Sequence, residues 1–167
     1  MQTEPETSII LRTPTPDDGA SVFNLISQCP PLDTNSMYCN LIQCSHFANT
    51  SAAAVINEKL MGFISGYLIP QRPDTLFIWQ VAVGEQARGR GLATKMLLHI
   101  LERNNVNYLE TTITKSNRAS WALFEGMAKK LNANIQTSVM FDQELHFANQ
   151  HDTEMLVKLG PFKLTSS

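Results

Sequence analysis

The chain has 167 residues, 43% apolar and 17% charged, with a net charge of −2 at neutral pH. This is the size and composition of one globular domain, and it excludes a disordered chain, a collagen-like fibre and a general nucleic-acid binder. The longest apolar stretch, near Met61 to Ile69, is interrupted by Ser and Gly and falls far short of the ~20 residues that span a bilayer. The start, Met1 to Glu6, is polar and acidic rather than basic and apolar. A cytoplasmic protein with no membrane partner is therefore expected.

The small net charge conceals a division. Between Gln86 and Lys130 lie Arg88, Arg90, Lys95, Arg103, Lys115, Arg118, Lys129 and Lys130 against only Glu102, Glu110 and Glu125, whereas the remainder is predominantly acidic. Such a division suits an anionic ligand in one region and a cationic one in another, although scatter over a solvated surface gives the same count. Cys29, Cys39 and Cys44 lack paired Cys-x-x-Cys spacing, and His46, His99, His146 and His151 include no i, i+4 pair. Neither set has the spacing of a metal site, and no metal is expected.

In chain order, Ser8 to Thr13 reads as a strand. Thr15-Pro16-Asp17-Asp18 then has the hydroxyl, proline and acids of a helix start, with the helix running to about Gln28. Cys29-Pro30-Pro31 stops it, and Asp33 to Ser36 turns the chain or caps a second helix over about Met37 to Ala48. Ala52 to Asn57, Leu60 to Ile69 and Thr75 to Val83 read as a three-stranded antiparallel meander, with Pro70 to Asp74 as one of its loops. Gly91 to Asn104 carries Leu92, Met96, Leu97, Ile100 and Leu101 at helical spacing. A strand over Val106 to Ile113 and a helix over Asn117 to Leu131 complete a crossover unit, and Ile135 to Phe141 and Met155 to Leu159 read as closing strands joined by the polar segment Asp142 to Thr153. The chain reads as one α/β domain, 1–167, with its core at about 8–162.

The most informative segment is Val81-Ala82-Val83-Gly84-Glu85-Gln86-Ala87-Arg88-Gly89-Arg90-Gly91-Leu92-Ala93-Thr94. An apolar strand enters a Gly-x-Gly turn and then a helix, so successive N–H groups can face one anion at the positive end of that helix. A plain tight turn would leave the same trace. The P-loop ending and the third glycine of a dinucleotide fold are both missing.

Gln86-x-x-Gly89-x-Gly91-x-Ala93 resembles the acyl-CoA pyrophosphate loop of the GCN5-related N-acetyltransferase (GNAT) superfamily. Asn117-Arg118-Ala119-Ser120-Trp121-Ala122-Leu123-Phe124 resembles its second signature. The resemblance implies a mixed, mostly antiparallel central sheet flanked by helices, acetyl-CoA as cosubstrate, and commonly a homodimer. It further implies cofactor binding by Val81, Ala82, Val83, Arg88, Gly89, Arg90, Gly91, Leu92, Ala93, Thr94, Asn117, Ser120 and Phe124. Backbone N–H groups of Gln80 to Val83 would polarise the thioester carbonyl for direct attack by an amine. Many members carry Tyr where this chain has Phe124, which cannot protonate the leaving thiolate.

Within the superfamily, Pro30 to Leu41, Phe77 to Val83 and His146 to Leu159 resemble the diaminobutyrate acetyltransferases of ectoine biosynthesis, over about Ile10 to Phe162. The activity this implies is acetylation of the 4-amino group of L-2,4-diaminobutyrate; the alternatives are another cationic amine or a CoA-binding module without turnover. A diamine acceptor needs carboxylates near its ammonium groups and apolar walls along its chain. Asp33, Glu154 and Trp79 form the expected catalytic set. Asp33, Tyr38, Trp79, Glu154 and His151 form the expected acceptor site, with Asp33 also readable as a helix cap, Glu154 as a solvated strand end, Trp79 as core and His151 as surface loop.

Overall fold

The apolar spacing along 92–101 folds as expected: α3 spans Leu92–Glu102 and buries Leu92, Met96, Leu97, Ile100 and Leu101. In the computed structural model, which describes residues 8–164, the other helices are α1 (Gly19–Ser27), α2 (Met37–Ser45) and α4 (Arg118–Lys130). The strands are β1 (Ile9–Arg12), β2 (Ala52–Ile56), β3 (Lys59–Ile69), β4 (Arg72–Val83), β5 (Tyr108–Thr114), β6 (Ile135–Phe141) and β7 (Glu154–Leu159). Together they form a seven-stranded mixed sheet. The polar start Met1 to Glu6 lies outside the described residues.

Two compact units are distinguished, and β3 and β4 contribute to both. The first holds residues 8–65 and 80–103, with strand order β1-β2-β3-β4. β1 and β2 are antiparallel, as are β2 and β3. Val22, Leu25 and Ile26 of α1 and Cys29 just beyond it pack with Cys44, Phe63 and Ala82. Gly62 lies close under α3: a Cβ there would stand 2.8 Å from the Met96 methyl and 3.1 Å from Leu92 Cδ2, so those side-chain ends would have to shift.

The second unit holds residues 66–79 and 104–164, with β4 beside β5, then β7, then β6. β4 and β5 are parallel, Thr75–Ile78 against Tyr108–Thr111, as the strand-helix-strand reading requires. β7 lies between β5 and β6, antiparallel to each. Leu76, Ile78, Leu109, Ile113, Val157 and Leu159 are buried with Phe124, Met127 and Ala128 of α4.

Two local departures from the sequence reading have physical causes, and one alternative that it left open is decided. Pro16–Asp18 forms a 3-10 turn and α1 begins only at Gly19, because the Asp18 carboxylate accepts the Thr15 N–H at 2.8 Å and closes a separate turn. β4 begins at Arg72, reducing the expected loop Pro70–Asp74 to two residues; Arg72 is held there by an ion pair with Glu110 of β5, which is 2% exposed. Ser36, rather than Asp33, caps α2: its Oγ accepts the Cys39 N–H at 3.1 Å.

Candidate functional site

In the first unit, β4 ends at Val83 and Gly84 turns back, its N–H donating to the Met61 carbonyl at 2.7 Å. Glu85–Ala87 forms a 3-10 turn, Arg88 is extended, and Arg88 Nε donates to the Val83 carbonyl at 3.2 Å. Gly89 and Gly91 then both take left-handed conformations, φ +81° and +69°. That region favours glycine over any residue with a Cβ. A Cβ built at either position meets nothing within 4 Å, so both positions border open space.

Gly91 is the N-cap of α3 and supplies no side-chain acceptor. The first helical bond runs from Lys95 N–H to the Gly91 carbonyl at 3.1 Å, so the amides of Leu92, Ala93 and Thr94 lack intrahelical acceptors. A helix N-terminus with donors of this kind and exposed Arg88 and Arg90 beside it is suited to an anionic group of pyrophosphate size.

The same unit contains the turn from α1 to α2. Asp33 is exposed and, with Ser36 acting as the cap, its carboxylate is not consumed by helix capping. Tyr38, in the first turn of α2, is 72% exposed. Gln80 of β4 reaches this turn: its Nε2 donates to the Asp33 carbonyl at 2.9 Å, and its Oε1 accepts from Asn35 Nδ2 at 3.5 Å. The sequence reading assigns no role to the Gln80 or Asn35 side chains; the available signal was a single amide in the otherwise apolar run Phe77 to Val83.

In the second unit, Trp79 is 43% exposed and therefore not core; its ring meets Tyr67 edge-on at 6.2 Å. Tyr67 also packs on Phe77 at 5.3 Å, and burial pushes its hydroxyl pKa upward. Glu154 opens β7, registered against Thr114 and Phe141, and one of its oxygens lies 3.8 Å from His151 Nε2. The other ring nitrogen of His151 is 2.6 Å from the Asp152 carbonyl, which can only accept; Nδ1 therefore carries the proton. Nε2 is then the atom turned to Glu154. Phe147 stacks against His151 at 4.6 Å and restricts the ring further.

Asn117 caps α4, accepting the Ser120 N–H at 3.2 Å, and leaves its side-chain amide nitrogen available. Ser120 is half-buried and Phe124 is 2% exposed. Burial pushes the Cys44 thiol up to about 12 and raises that of Cys39, so neither is a ready nucleophile. Among the described residues no cluster of three or more His, Cys, Asp or Glu could hold a metal, and no helix is long and apolar enough to cross a membrane.

Comparison with known proteins places these features in context. The Acetyltransferase (GNAT) family model matches residues 20–128. The L-2,4-diaminobutyric acid acetyltransferase of Methylotuvimicrobium alcaliphilum is 65% identical over 158 residues, covering 93% of this chain and 92% of the relative. That of Vibrio cholerae is 47% identical over 153 residues, covering 90% and 88%. Among solved structures, diaminobutyrate acetyltransferase EctA from Paenibacillus lautus, in complex with L-2,4-diaminobutyric acid and coenzyme A, superposes with a TM-score of 0.89 at 34% identity, covering 97% of this chain and 100% of that one. The ribosomal-protein-S18-alanine N-acetyltransferase of Escherichia coli, at 14% identity and a TM-score of 0.69, shares the fold.

Proposed function

Since the chain belongs to the GNAT acetyltransferase family, we infer that it transfers acetyl from acetyl-CoA to the 4-amino group of L-2,4-diaminobutyrate, giving the N4-acetyl product of ectoine biosynthesis. The observation that carries this reading is the likeness, over nearly the whole length of both chains, to a solved relative holding the diamino acid and coenzyme A. The protein acts as one acetyltransferase domain, in the cytoplasm, as a homodimer and in the service of osmoadaptation.

The parts have distinct tasks. In the first unit, the amides of the Gly89–Gly91 turn and of Leu92, Ala93 and Thr94 bind the pyrophosphate, assisted by Arg88 and Arg90. The β4 ladder with β5 covers Thr75–Ile78, and β4 continues past it to Val83. Backbone N–H groups of the stretch Val81 to Val83 supply the donors toward the thioester carbonyl. Asp33 receives an ammonium group of the acceptor beside the Tyr38 ring. In the second unit, the Asn117 amide, Ser120 and the α4 face around Phe124 take the pantetheine arm, while Trp79, Glu154 and His151 contribute an apolar wall, a carboxylate and a proton acceptor.

The neutral amine nitrogen forms its bond to the carbonyl carbon, and the carbon–sulfur bond breaks. Coenzyme A leaves as a thiolate that takes up a proton, and the new ammonium gives one up. Donors preorganised toward the developing oxyanion stabilise this step without a covalent enzyme intermediate. Phe124 has no proton to give, so water or the acceptor ammonium protonates the sulfur.

The test is incubation with acetyl-CoA and L-2,4-diaminobutyrate, following thiol release and locating the acetyl group by NMR. Stoichiometric N4-acetyl product is expected. Thiol release with a polyamine or peptide N-terminus but not with the diamino acid would overturn the acceptor, and no release with any amine would overturn the catalytic reading.

A further inference from the structure

The turn over residues 32–36 is fastened at its ends by ordinary means. Leu32 N–H donates to the Cys29 carbonyl at 3.0 Å and its side chain packs on the first unit's core; Ser36 closes the other end as the cap of α2. Between them, Asp33 and Asn35 both meet one side chain, that of Gln80. The polarity of these contacts is fixed, because the Asp33 carbonyl can only accept. The Gln80 amide nitrogen must face it, which leaves Oε1 for the Asn35 amide.

Gln80 also immediately precedes Val81 to Val83 on β4, the strand assigned above to the thioester carbonyl. One side chain therefore joins the turn carrying the acceptor's proposed anion to the strand carrying the acyl donor's proposed amides. We propose that Gln80 is a positioning residue: it sets where Asp33 presents its carboxylate and thereby sets affinity for the diamine. This rests on the acceptor role assigned to Asp33 above. A displacement of that carboxylate by about 1 Å is costly for reaction geometry even though the Gln80 side chain touches neither reactant.

Three variants separate positioning from simple support of the fold. Gln80→Leu keeps the volume and removes both bonds; Gln80→Glu keeps the acceptor for Asn35 and sets an oxygen against the Asp33 carbonyl; Asn35→Ala removes only the longer bond. The Michaelis constant for the diamine is expected to rise about tenfold in the first two and about twofold in the third, with that for acetyl-CoA unchanged and melting temperature nearly so. In the Asp33→Asn background, Gln80→Leu should add little, because its effect passes through Asp33.

Amide hydrogen exchange gives a readout independent of the acceptor's identity. Peptides covering 32–39 should exchange faster in Gln80→Leu than in the wild type, with α3 unaffected. Wild-type protein that does not turn over the diamine would overturn the function assigned above and, with it, the affinity claim. An active wild type whose Gln80→Leu variant shows an unchanged diamine constant, or equal rises in both constants with a lowered melting temperature, would overturn the positioning role alone. Unchanged exchange over 32–39 would overturn it as well.

Discussion

The Arg12 guanidinium meets the Asp18 carboxylate through two bonds of 2.7 Å, and Asp18 is 9% exposed. This fork joins β1 to the turn before α1, and the hydrogen bond from Arg12 holds the Asp18 carboxyl below the usual carboxylate range. A carboxyl whose pKa is lowered on folding contributes stability above its unfolded value, near 3.9, and loses that contribution as pH falls through the folded value. Thermal melts should therefore show a decline below about pH 4 that Asp18→Asn lacks. At neutral pH the same variant should lose about 1 to 3 kcal/mol, less than a fully buried pair because the Arg12 side chain is 39% exposed. Equal acid sensitivity of variant and wild type would sink the assignment.

Gly91 and Gly126 offer a controlled comparison, since an added Cβ meets no neighbour at either. Gly126 lies within α4, where Ala is worth about 0.5 to 1 kcal/mol over Gly, so Gly126→Ala should raise the melting temperature by about 2 °C. Gly91 sits at φ +69°, where a β-branched residue is strained. Gly91→Val should lose roughly tenfold or more in acetyl-CoA affinity by calorimetry while remaining folded. Unchanged affinity in the folded variant would remove this turn from the cofactor site.

Asp33 and Ser36 should separate cleanly. Ser36→Ala removes the cap of α2 and should cost about 1 kcal/mol of stability. Asp33→Asn should leave the melting temperature unchanged yet weaken the diamine by about ten- to a hundredfold, the loss of one charge-assisted hydrogen bond. Steady-state constants for both substrates check this; an unaltered diamine constant would transfer the anion role to Glu154.

Phe124 is buried, so a tyrosine there adds a hydroxyl to an apolar setting. Phe124→Tyr should lower the melting temperature and leave turnover within a few-fold. A gain on the order of a hundredfold, the scale of a newly placed general acid, would show that sulfur protonation limits the reaction.

Turnover at subsaturating diamine should rise from pH 7 toward 9, because the attacking amine must be neutral and its free pKa is about 10. A flat profile with chemistry rate-limiting would show that the protein binds the amine already deprotonated.

What the sequence made legible was local. The spacing of Leu92, Met96, Leu97, Ile100 and Leu101 specifies the buried face of α3, and Gly89-Arg90-Gly91 marks the left-handed turn before it. The insertion of β7 between β5 and β6 was not legible, because strand order depends on pairings between distant segments whose local propensities are alike. Arg72 looked like a loop residue for the same reason: its partner, Glu110, is a buried carboxylate on another strand. Asp33 and Ser36 both have N-cap chemistry, and only the backbone path into α2 distinguishes them. Gln80 was invisible as an anchor because one of its partners, the Asp33 carbonyl, is a backbone atom that every residue type possesses.

The placement of the cap at Ser36, beyond Asp33, bears on how this protein could acquire a new acceptor. A residue that both started a helix and gripped the substrate could not be exchanged without risking the helix. With the acceptor role proposed for Asp33, those duties fall on different positions, so residues 33–35 can vary in charge and size while Ser36 keeps α2 intact. Randomising 33–35 with Ser36 and Gln80 held constant should give a library in which most members remain folded and differ chiefly in which amine they accept.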